Sequence, residues 1–552
     1  MLNACTIVAS NYLPYARVLA DSFFAHHPDG SFVVLLIDDE QRAVDLEDRR
    51  IDWRRLSDLG LDRAEIRRLA GIYDVTELAT AVKPLLLRRL VDEGRPSITY
   101  LDPDIRIYDS LEDLSRLAAS HGIVLTPHTM RPFPRDERQV DGFFVLAAGV
   151  YNLGFVAVAP SARPFLDWWW QVTRREALAD VARMMFTDQR WVDFVPSFFD
   201  HVILKDPGYN VAYWNLHGRE LTLDGERYLV DGVPLRFFHF SGFDISKQHL
   251  LSTHQGDRPR ILLSDRPVLA RLCQDYAVHL ERAGLEMRQR RPYGWSRIAC
   301  GLEMTTRMRR LFRSGLMAAE QGTAPEPPDP FDETNPEAFL RWLNRPADDG
   351  PRQLSRYLYS IYQDRLDLQI QFPDINGSDA AKFAEWIWRD SDLREKTPLE
   401  LLPVAQGGLH AAQPDPRVAT DGVVAAPDAT PGADGSGIGP LESMLPHLEA
   451  MATLQESAEG SLAGFRRAAQ RVLFRLLRPY AFQQHQLQMQ LIAAVRQAAV
   501  ALRRQQQGHK SLDARVRELT RELLAAKREI RRLEAAMSVG KAPEERHYGE
   551  TE

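Results

Sequence analysis

The segment Ile98-Thr99-Tyr100-Leu101-Asp102-Pro103-Asp104-Ile105-Arg106-Ile107 constrains this chain more than any other. An apolar, β-branched run ends in two carboxylates one residue apart, and a second short apolar run follows. A buried strand has this pattern when it delivers acidic side chains to the carboxyl edge of an α/β sheet. Two hard oxygen donors at such an edge suit Mg²⁺ or Mn²⁺ bridging a diphosphate. An acidic turn that merely closes a strand is the competing reading, and the tripeptide alone does not choose between them.

The flanking sequence favours the sheet edge. Ala4 to Ala9 reads as an apolar strand running into the polar turn Ser10-Asn11-Tyr12. Tyr15 to His26 carries apolar residues at Ala16, Leu19, Ala20, Phe23 and Phe24, the spacing of a helix. A second strand, Phe32 to Ile37, ends in Asp38-Asp39. Strand, turn, helix and strand make a βαβ unit, yet no Gly-x-Gly-x-x-Gly occupies its first turn, which argues against a dinucleotide-binding domain. Six short motifs then occur in order: Ala9-Ser10-Asn11-Tyr12, Thr80-Ala81-Val82-Lys83-Pro84, Leu101-Asp102-Pro103-Asp104, Tyr151-Asn152-Leu153-Gly154-Phe155, Thr187-Asp188-Gln189-Arg190 and Phe238-His239-Phe240-Ser241-Gly242. In their order and spacing, residues 1–260 resemble the GT-A nucleotide-sugar glycosyltransferases, most closely family 8 and its bacterial relatives.

The resemblance implies a Rossmann-like α/β domain that transfers a sugar from a nucleotide-diphosphate donor. It implies a metal, Mn²⁺ or Mg²⁺, on Asp102, Asp104 and His239. Read without it, His239 is a core histidine at a strand end. Ser10, Asn11 and Tyr12 match the nucleoside-binding segment, where Tyr12 either stacks on the base or packs in the core. Lys83 matches a basic donor-contacting residue that is more usually Arg, so a bidentate contact is lost. Lys247 matches a phosphate-binding lysine, displaced slightly from the family spacing. Asn152, Asp188 and Gln189 match the sugar-binding and catalytic positions. Asp188, or Thr187, can equally cap the helix that begins at Gln189. Family 8 relatives retain anomeric configuration, so a retaining transfer to a cell-surface glycan or glycolipid is implied. A non-catalytic, nucleotide-sugar-binding scaffold of a polysaccharide assembly complex is the alternative. A nucleotidyltransferase would need a Gly-rich basic loop after the first strand, and none is present.

Composition agrees with a protein of several domains. The 552 residues suffice for a full α/β core, and 44% hydrophobic with 26% charged residues is ordinary for a globular chain. A net charge of −7 gives no reason to expect nucleic acid as a partner. Cys5, Cys273 and Cys300 lack metal-site spacing and read as buried thiols in a reducing compartment. No basic segment precedes an apolar core at the N-terminus, and no apolar run reaches the roughly 20 residues of a membrane span. The expected location is cytoplasmic, with any membrane contact peripheral, at the inner face.

The expected organisation is a transferase domain over 1–260, a basic helical extension over 261–315, a Pro/Glu linker over 316–330 and a small helical module over 331–400. A disordered linker (401–445), amphipathic helices (446–507) and a coiled coil (508–540) follow. Within the first domain, Ser110 is expected to cap a helix to His121, the Pro- and charge-rich residues 127–143 to form a mobile loop, and Asp231-Gly232 to turn a hairpin. Trp168, Trp169 and Trp170 are consecutive on a helix and read as packing residues rather than a sugar platform. The arginines between 282 and 313 form a solvated helix face or a membrane-surface patch. Phe372 to Gly377 and the helix after it resemble an accessory module of bacterial surface-polysaccharide glycosyltransferases. Leu512, Val516, Leu519, Leu523, Ala526, Ile530, Leu533 and Met537 form a heptad seam suited to self- or hetero-association. Phe465 to Arg478 is a basic amphipathic stretch suited to an anionic membrane or a partner groove.

Overall fold

The computed structural model describes residues 1–38, 48–180, 183–285, 292–347, 350–351 and 353–403. The expected coiled coil, the amphipathic stretch Phe465–Arg478, nearly all of the 401–445 linker, and Arg288, Arg290 and Arg291 lie outside these residues. The chain divides into two compact units, Met1–Asn344 and Arg345–Glu552. No helix among the described residues is long and apolar enough to cross a membrane.

The first unit is mixed α/β. Its strands are β1 Asn3–Val8, β2 Ser31–Leu36, β3 Ile51–Arg55, β4 Ile98–Leu101, β5 Ile105–Ile107, β6 Ile123–Leu125 and β7 Phe155–Val158. They continue with β8 Ala179–Asp180, β9 Met185–Phe186, β10 Val202–Ile203, β11 Leu221–Asp224, β12 Arg227–Val230, β13 Val233–Pro234 and β14 Phe237–His239. The central sheet runs β10-β6-β7-β4-β1-β2-β3. Only β7 is antiparallel to its neighbours. Strand β2 is an unbroken apolar run because both of its faces are covered, and Val33, Val34, Leu35 and Leu36 are fully buried. Each such side chain contributes about 1.5–3 kcal/mol by leaving water. The first helix spans Leu13–His26, in agreement with its periodicity.

Local chemistry explains where the structure follows the sequence reading and where it departs from it. Ser110 is not the N-cap of the helix Glu112–His121; Leu111 is, and the Ser110 hydroxyl only accepts a long 3.4 Å bond from the Glu112 N–H. The helix over Val75–Ala81 stops at Val82 and restarts as Lys83–Asp92, with Pro84 in its first turn, where a missing N–H costs nothing. Asp231 and Gly232, with φ of +50° and +82°, turn β12 into β13 as the hairpin pattern requires. Of the three tryptophans, Trp169 is fully buried and stacks on Phe165 at 4.9 Å. The loop over 127–143 is tied down by Arg260, which pairs with Asp136 at 2.6 Å and donates to the carbonyls of Val140 and Arg138.

Residues 261–344 belong to the same compact unit as the sheet. The basic run there is neither a solvated face nor a lipid patch at Arg309, Arg310 and Arg313, which turn inward. Arg309 is buried and donates to the carbonyls of Ala70 and Tyr73, acceptors at the end of the helix Arg63–Ile72, and to that of Trp295. Arg310 pairs with the buried Glu77 at 2.5 Å, and Arg313 with Glu176. Residues 316–330 include the end of the helix Thr306–Glu320 and two carboxylates, Glu326 and Asp329, that pair with Arg68 and Arg67 at 2.7 Å. Cys5 and Cys273 are buried thiols, each pushed up to about 12 by burial, and Cys300 is half-buried.

In the second unit the helices Arg356–Asp364, Leu366–Gln371, Asp379–Arg389 and Ser391–Lys396 are described. Phe383 meets Tyr362 and Phe372 at ring distances of 5.8 and 5.4 Å. The Phe372–Gly377 turn closes when Asp374 accepts from the Ser378 N–H and donates its own N–H to Asp379, both at 3.0 Å.

Candidate functional site

The carboxyl ends of β1, β4 and β6 lie on one edge of the sheet, and β7, running the other way, begins there. This edge collects Ser10, Asp102, Thr126 and the Asn152-Leu153-Gly154 turn. Asp102 leaves β4 with its N–H bonded to the Gly154 carbonyl at 2.8 Å, and a tight turn back to the Ile105 N–H exposes both aspartates. Antiparallel pairing of β5 with β14 sets His239 opposite Ile105, next to Asp104. Strand register thus brings together residues 137 positions apart or less.

Asp102, Asp104 and His239 each offer one donor atom, and the three atoms lie within 4.8 Å of one another. His239 Nε2 is 3.0 Å from Asp104 Oδ1 and 3.8 Å from Asp102 Oδ2. The carboxylates are partly exposed and the imidazole is buried, its edge against Trp214 at a ring distance of 5.1 Å. Burial disfavours the imidazolium, but the charges of Asp104 and Asp102 outweigh it and hold the His239 pKa above its ordinary value. Two carboxylates and an imidazole at this spacing fit a hard divalent ion whose remaining positions are filled by water or ligand oxygens. Tyr100 donates to Asp102 Oδ1 at 2.7 Å and so fixes that carboxylate from behind.

Gly154 makes room for the imidazole. A Cβ at that position would lie 2.2 Å from His239 Cε1 and 2.6 Å from Nδ1. Gly154→Ala is therefore expected to displace the ring and to weaken by about tenfold or more any affinity of this cluster for a divalent ion. Titration of the folded variant with Mn²⁺ checks this, and an unchanged affinity would refute the packing argument.

The other sequence-predicted residues divide into a surface group and a buried group. Tyr12 is 44% exposed, stacks on Tyr15 at 4.8 Å and feels the charge of Asp104. Its turn also holds Ser10, fully buried, whose N–H donates to the buried Asp38, and Asn11. Lys247 is exposed in the turn Ile245–Lys247, 3.8 Å from Asp244.

Lys83 is only 1% exposed. Its ammonium pairs with Asp188 Oδ2 at 2.9 Å, donates to the Leu153 carbonyl at 2.8 Å and lies over the Tyr100 ring at 4.4 Å. Asp188 is equally buried, and burial raises its pKa despite the Lys83 charge. No side-chain bond from Asp188 caps the helix Gln189–Val192, so that alternative role is not adopted. Thr187 before it holds a left-handed φ of +49°, a strained conformation for a β-branched residue.

Asn152 has all four hydrogen-bonding positions engaged within the protein. Its amide group faces His128 Nε2 at 3.2 Å and Gln189 Oε1 at 3.4 Å; its oxygen accepts from Gly154 N at 3.1 Å and Asn210 Nδ2 at 3.0 Å. Gln189 also accepts from Leu153 N at 2.9 Å and donates to the Ala148 carbonyl at 2.7 Å. Lys83, Asn152 and Gln189 together brace the turn whose Gly154 abuts the imidazole.

The sequence reading passed over His128, Asn210, Trp214 and Tyr100. His128 follows β6, and a search of every parallel strand's carboxyl end would have flagged it. Burial pushes its pKa down to about 4, so it is a neutral imidazole within the Asn152 network. Asn210 and Trp214 lie on an irregular segment with no such signal.

No family model matches the chain. It is 24% identical over 290 residues to the uncharacterized protein YfnF of Bacillus subtilis (strain 168), covering 50% of this chain and 91% of that protein. It is 25% identical over 253 residues to YfnD of the same organism, also uncharacterized, covering 44% and 77%. Among solved structures, galactosyltransferase LgtC in complex with donor and acceptor sugar analogs aligns with a TM-score of 0.31 and 16% identity, over 50% of this chain and 95% of that one. The apo-form glycosyltransferase GlyE of Streptococcus pneumoniae TIGR4 aligns with a TM-score of 0.29 and 14% identity, over 54% and 66%.

Proposed function

We propose that this chain is a metal-dependent, retaining glycosyltransferase of GT-A type that moves a sugar from a nucleotide-diphosphate donor to a glycan or glycolipid acceptor. The observation that carries the reading is the Asp102, Asp104 and His239 cluster at the carboxyl edge of a mainly parallel sheet, with donor atoms within 4.8 Å. Mn²⁺ or Mg²⁺ held there supplies positive charge to the departing diphosphate. Tyr12 offers an exposed ring beside the cluster for a nucleoside base, and Ser10 and Asn11 shape the turn that presents it. Asp188, held by Lys83, supplies fixed negative charge behind the sugar-binding side, where an oxocarbenium-like transition state is stabilised. Lys83, Asn152 and Gln189 act as positioning residues, and Lys247 reaches from an exposed turn toward phosphate. Retention follows from the family 8 resemblance. To the same reading belong self-association through the 512–537 seam and attachment to anionic lipid through Phe465–Arg478.

Titrating the full chain with a panel of nucleoside diphosphates, with and without Mn²⁺, and following nucleotide release from the matching sugar donors tests the proposal. Metal-dependent binding with turnover is expected. Binding without turnover on any donor would favour the scaffold reading, and no binding would remove both.

A further inference from the structure

A second polar cavity lies where the segment after His128 crosses the segment after Trp214. It encloses about 760 Å³ and is lined by Arg131, His217, Arg219, Arg266 and the first turn of the helix Pro267–Arg282. Arg219 is only 6% exposed. Its guanidinium makes one hydrogen bond among the described residues, to the Tyr209 carbonyl at 2.8 Å, and burial pushes its pKa down to about 10. Among the described residues the Arg266 guanidinium donates only a long 3.4 Å bond, to the Arg219 carbonyl. Among the described residues, none of the three guanidinium groups forms an ion pair, although most arginines of this unit do. The buried Arg219 guanidinium has no carboxylate in contact and feels Asp231 and Asp206 only at longer range, so an anion seated against it would offset a desolvation cost that these charges only partly meet.

The cavity shows further signs of a built site. No side chain caps the helix Pro267–Arg282, so the free N–H groups and positive dipole end of a 16-residue helix face the same space. Gly218 lets the Arg131 stem lie across the turn, since a Cβ there would meet Arg131 Cδ at 2.9 Å. Phe133 stacks on the lining residue His217 at 4.3 Å and so fixes its ring. Asp231 and Asp265 also line the cavity and have acceptor capacity to spare: one oxygen of Asp231 takes the Glu220 N–H, and one of Asp265 takes the Ser264 hydroxyl.

We infer that this cavity binds an acidic sugar unit, its oxyanion held by Arg131, Arg219, Arg266 and the helix N-terminus, and its hydroxyls donating to Asp231 and Asp265. Guanidinium groups match carboxylate and phosphate oxygens in charge and geometry, whereas carboxylates suit hydroxyl donors. One ligand carrying both kinds of group accounts for the mixed lining. The inference stands independently of the transfer reading, because it uses none of the residues of the Asp102, Asp104 and His239 cluster.

The test is calorimetric titration of the full chain in EDTA with glucuronate, glucose 6-phosphate, glucose and inorganic phosphate. The two acidic sugars are expected to bind and glucose not to. Arg131→Gln and Arg266→Gln, both away from the packed core, are each expected to weaken binding about tenfold, as loss of a charge-assisted hydrogen bond would. Asp104→Asn is expected to leave it unchanged. Failure of both acidic sugars to bind, equal binding of glucose, or unchanged affinity in both arginine variants would overturn the inference. So would inorganic phosphate binding as tightly as glucose 6-phosphate, since the hydroxyl contacts would then be absent. Loss of binding in Asp104→Asn would move the ligand to the carboxylate–histidine cluster and equally overturn it.

Discussion

On the proposed function, Asp104→Asn is expected to lower metal-dependent nucleotide-sugar turnover by at least about 100-fold, more than is lost when a residue that only supports a metal ligand is replaced. The amide keeps the shape of the side chain but removes one of the two negative charges that attract the ion. It also removes the negative charge that stands 3.0 Å from His239 Nε2. Asp104 is partly exposed and its backbone carbonyl, which accepts from the Phe240 N–H at 2.9 Å, is untouched. Fold and thermal stability should therefore persist. Turnover of the donor by the folded variant, with affinity for nucleoside diphosphate measured across Mn²⁺ concentrations, checks the prediction. Wild-type metal dependence in that variant would show that the cluster is not the reaction's metal site.

Lys83→Met is expected to destabilise the protein by about 3–5 kcal/mol, the cost of leaving one member of a buried ion pair unpaired. Asp188 is 1% exposed, and no cation other than Lys83 pairs with it among the described residues. The loss has a pH signature. Burial already raises the Asp188 pKa, and removing Lys83 takes away the largest opposing charge, so the folded-state value rises further above the unfolded one. A group with a raised folded pKa contributes stability at low pH and loses it as pH rises through that pKa. The variant should accordingly fall further below wild type at about pH 8 than at about pH 5. Adding Asp188→Asn removes the stranded charge and should restore a large part of the loss. Urea denaturation of the three proteins at both pH values provides the measurement. Wild-type stability in Lys83→Met would mean that the lysine serves a ligand rather than the structure behind Gly154.

The elements legible from the sequence are those fixed by short-range patterning. The β1–helix–β2 opening follows from apolar periodicity, and β4 ends at Leu101, just before Asp102, because an apolar run meets a charged Pro-containing turn. The Asp231-Gly232 turn follows from residues that tolerate positive φ. Asp102 and Asp104 were visible for the same reason, since the end of a strand is a local feature. His239 was reachable only through family resemblance, because its place beside Asp104 depends on β14 pairing with β5 across more than a hundred residues. Sequence spacing likewise gave Lys83, Asn152 and Gln189 the chemistry of their side chains but not their surroundings. Whether an ammonium or an amide meets solvent or protein depends on which distant backbone groups close over it. The inward turn of Arg309, Arg310 and Arg313 has the same origin: arginines spaced along a helix look solvated until the carbonyls of Ala70, Tyr73 and Trp295 and the carboxylates of Glu77 and Glu176 are brought against them. The sequence by itself determined which segments become strands and helices and which carboxylates stand at the sheet edge, because propensity and periodicity act over a few residues. Only the tertiary structure decided which polar groups are spent inside the protein and which remain for a ligand, because desolvation and hydrogen-bond pairing depend on neighbours that are close in space and remote in the chain.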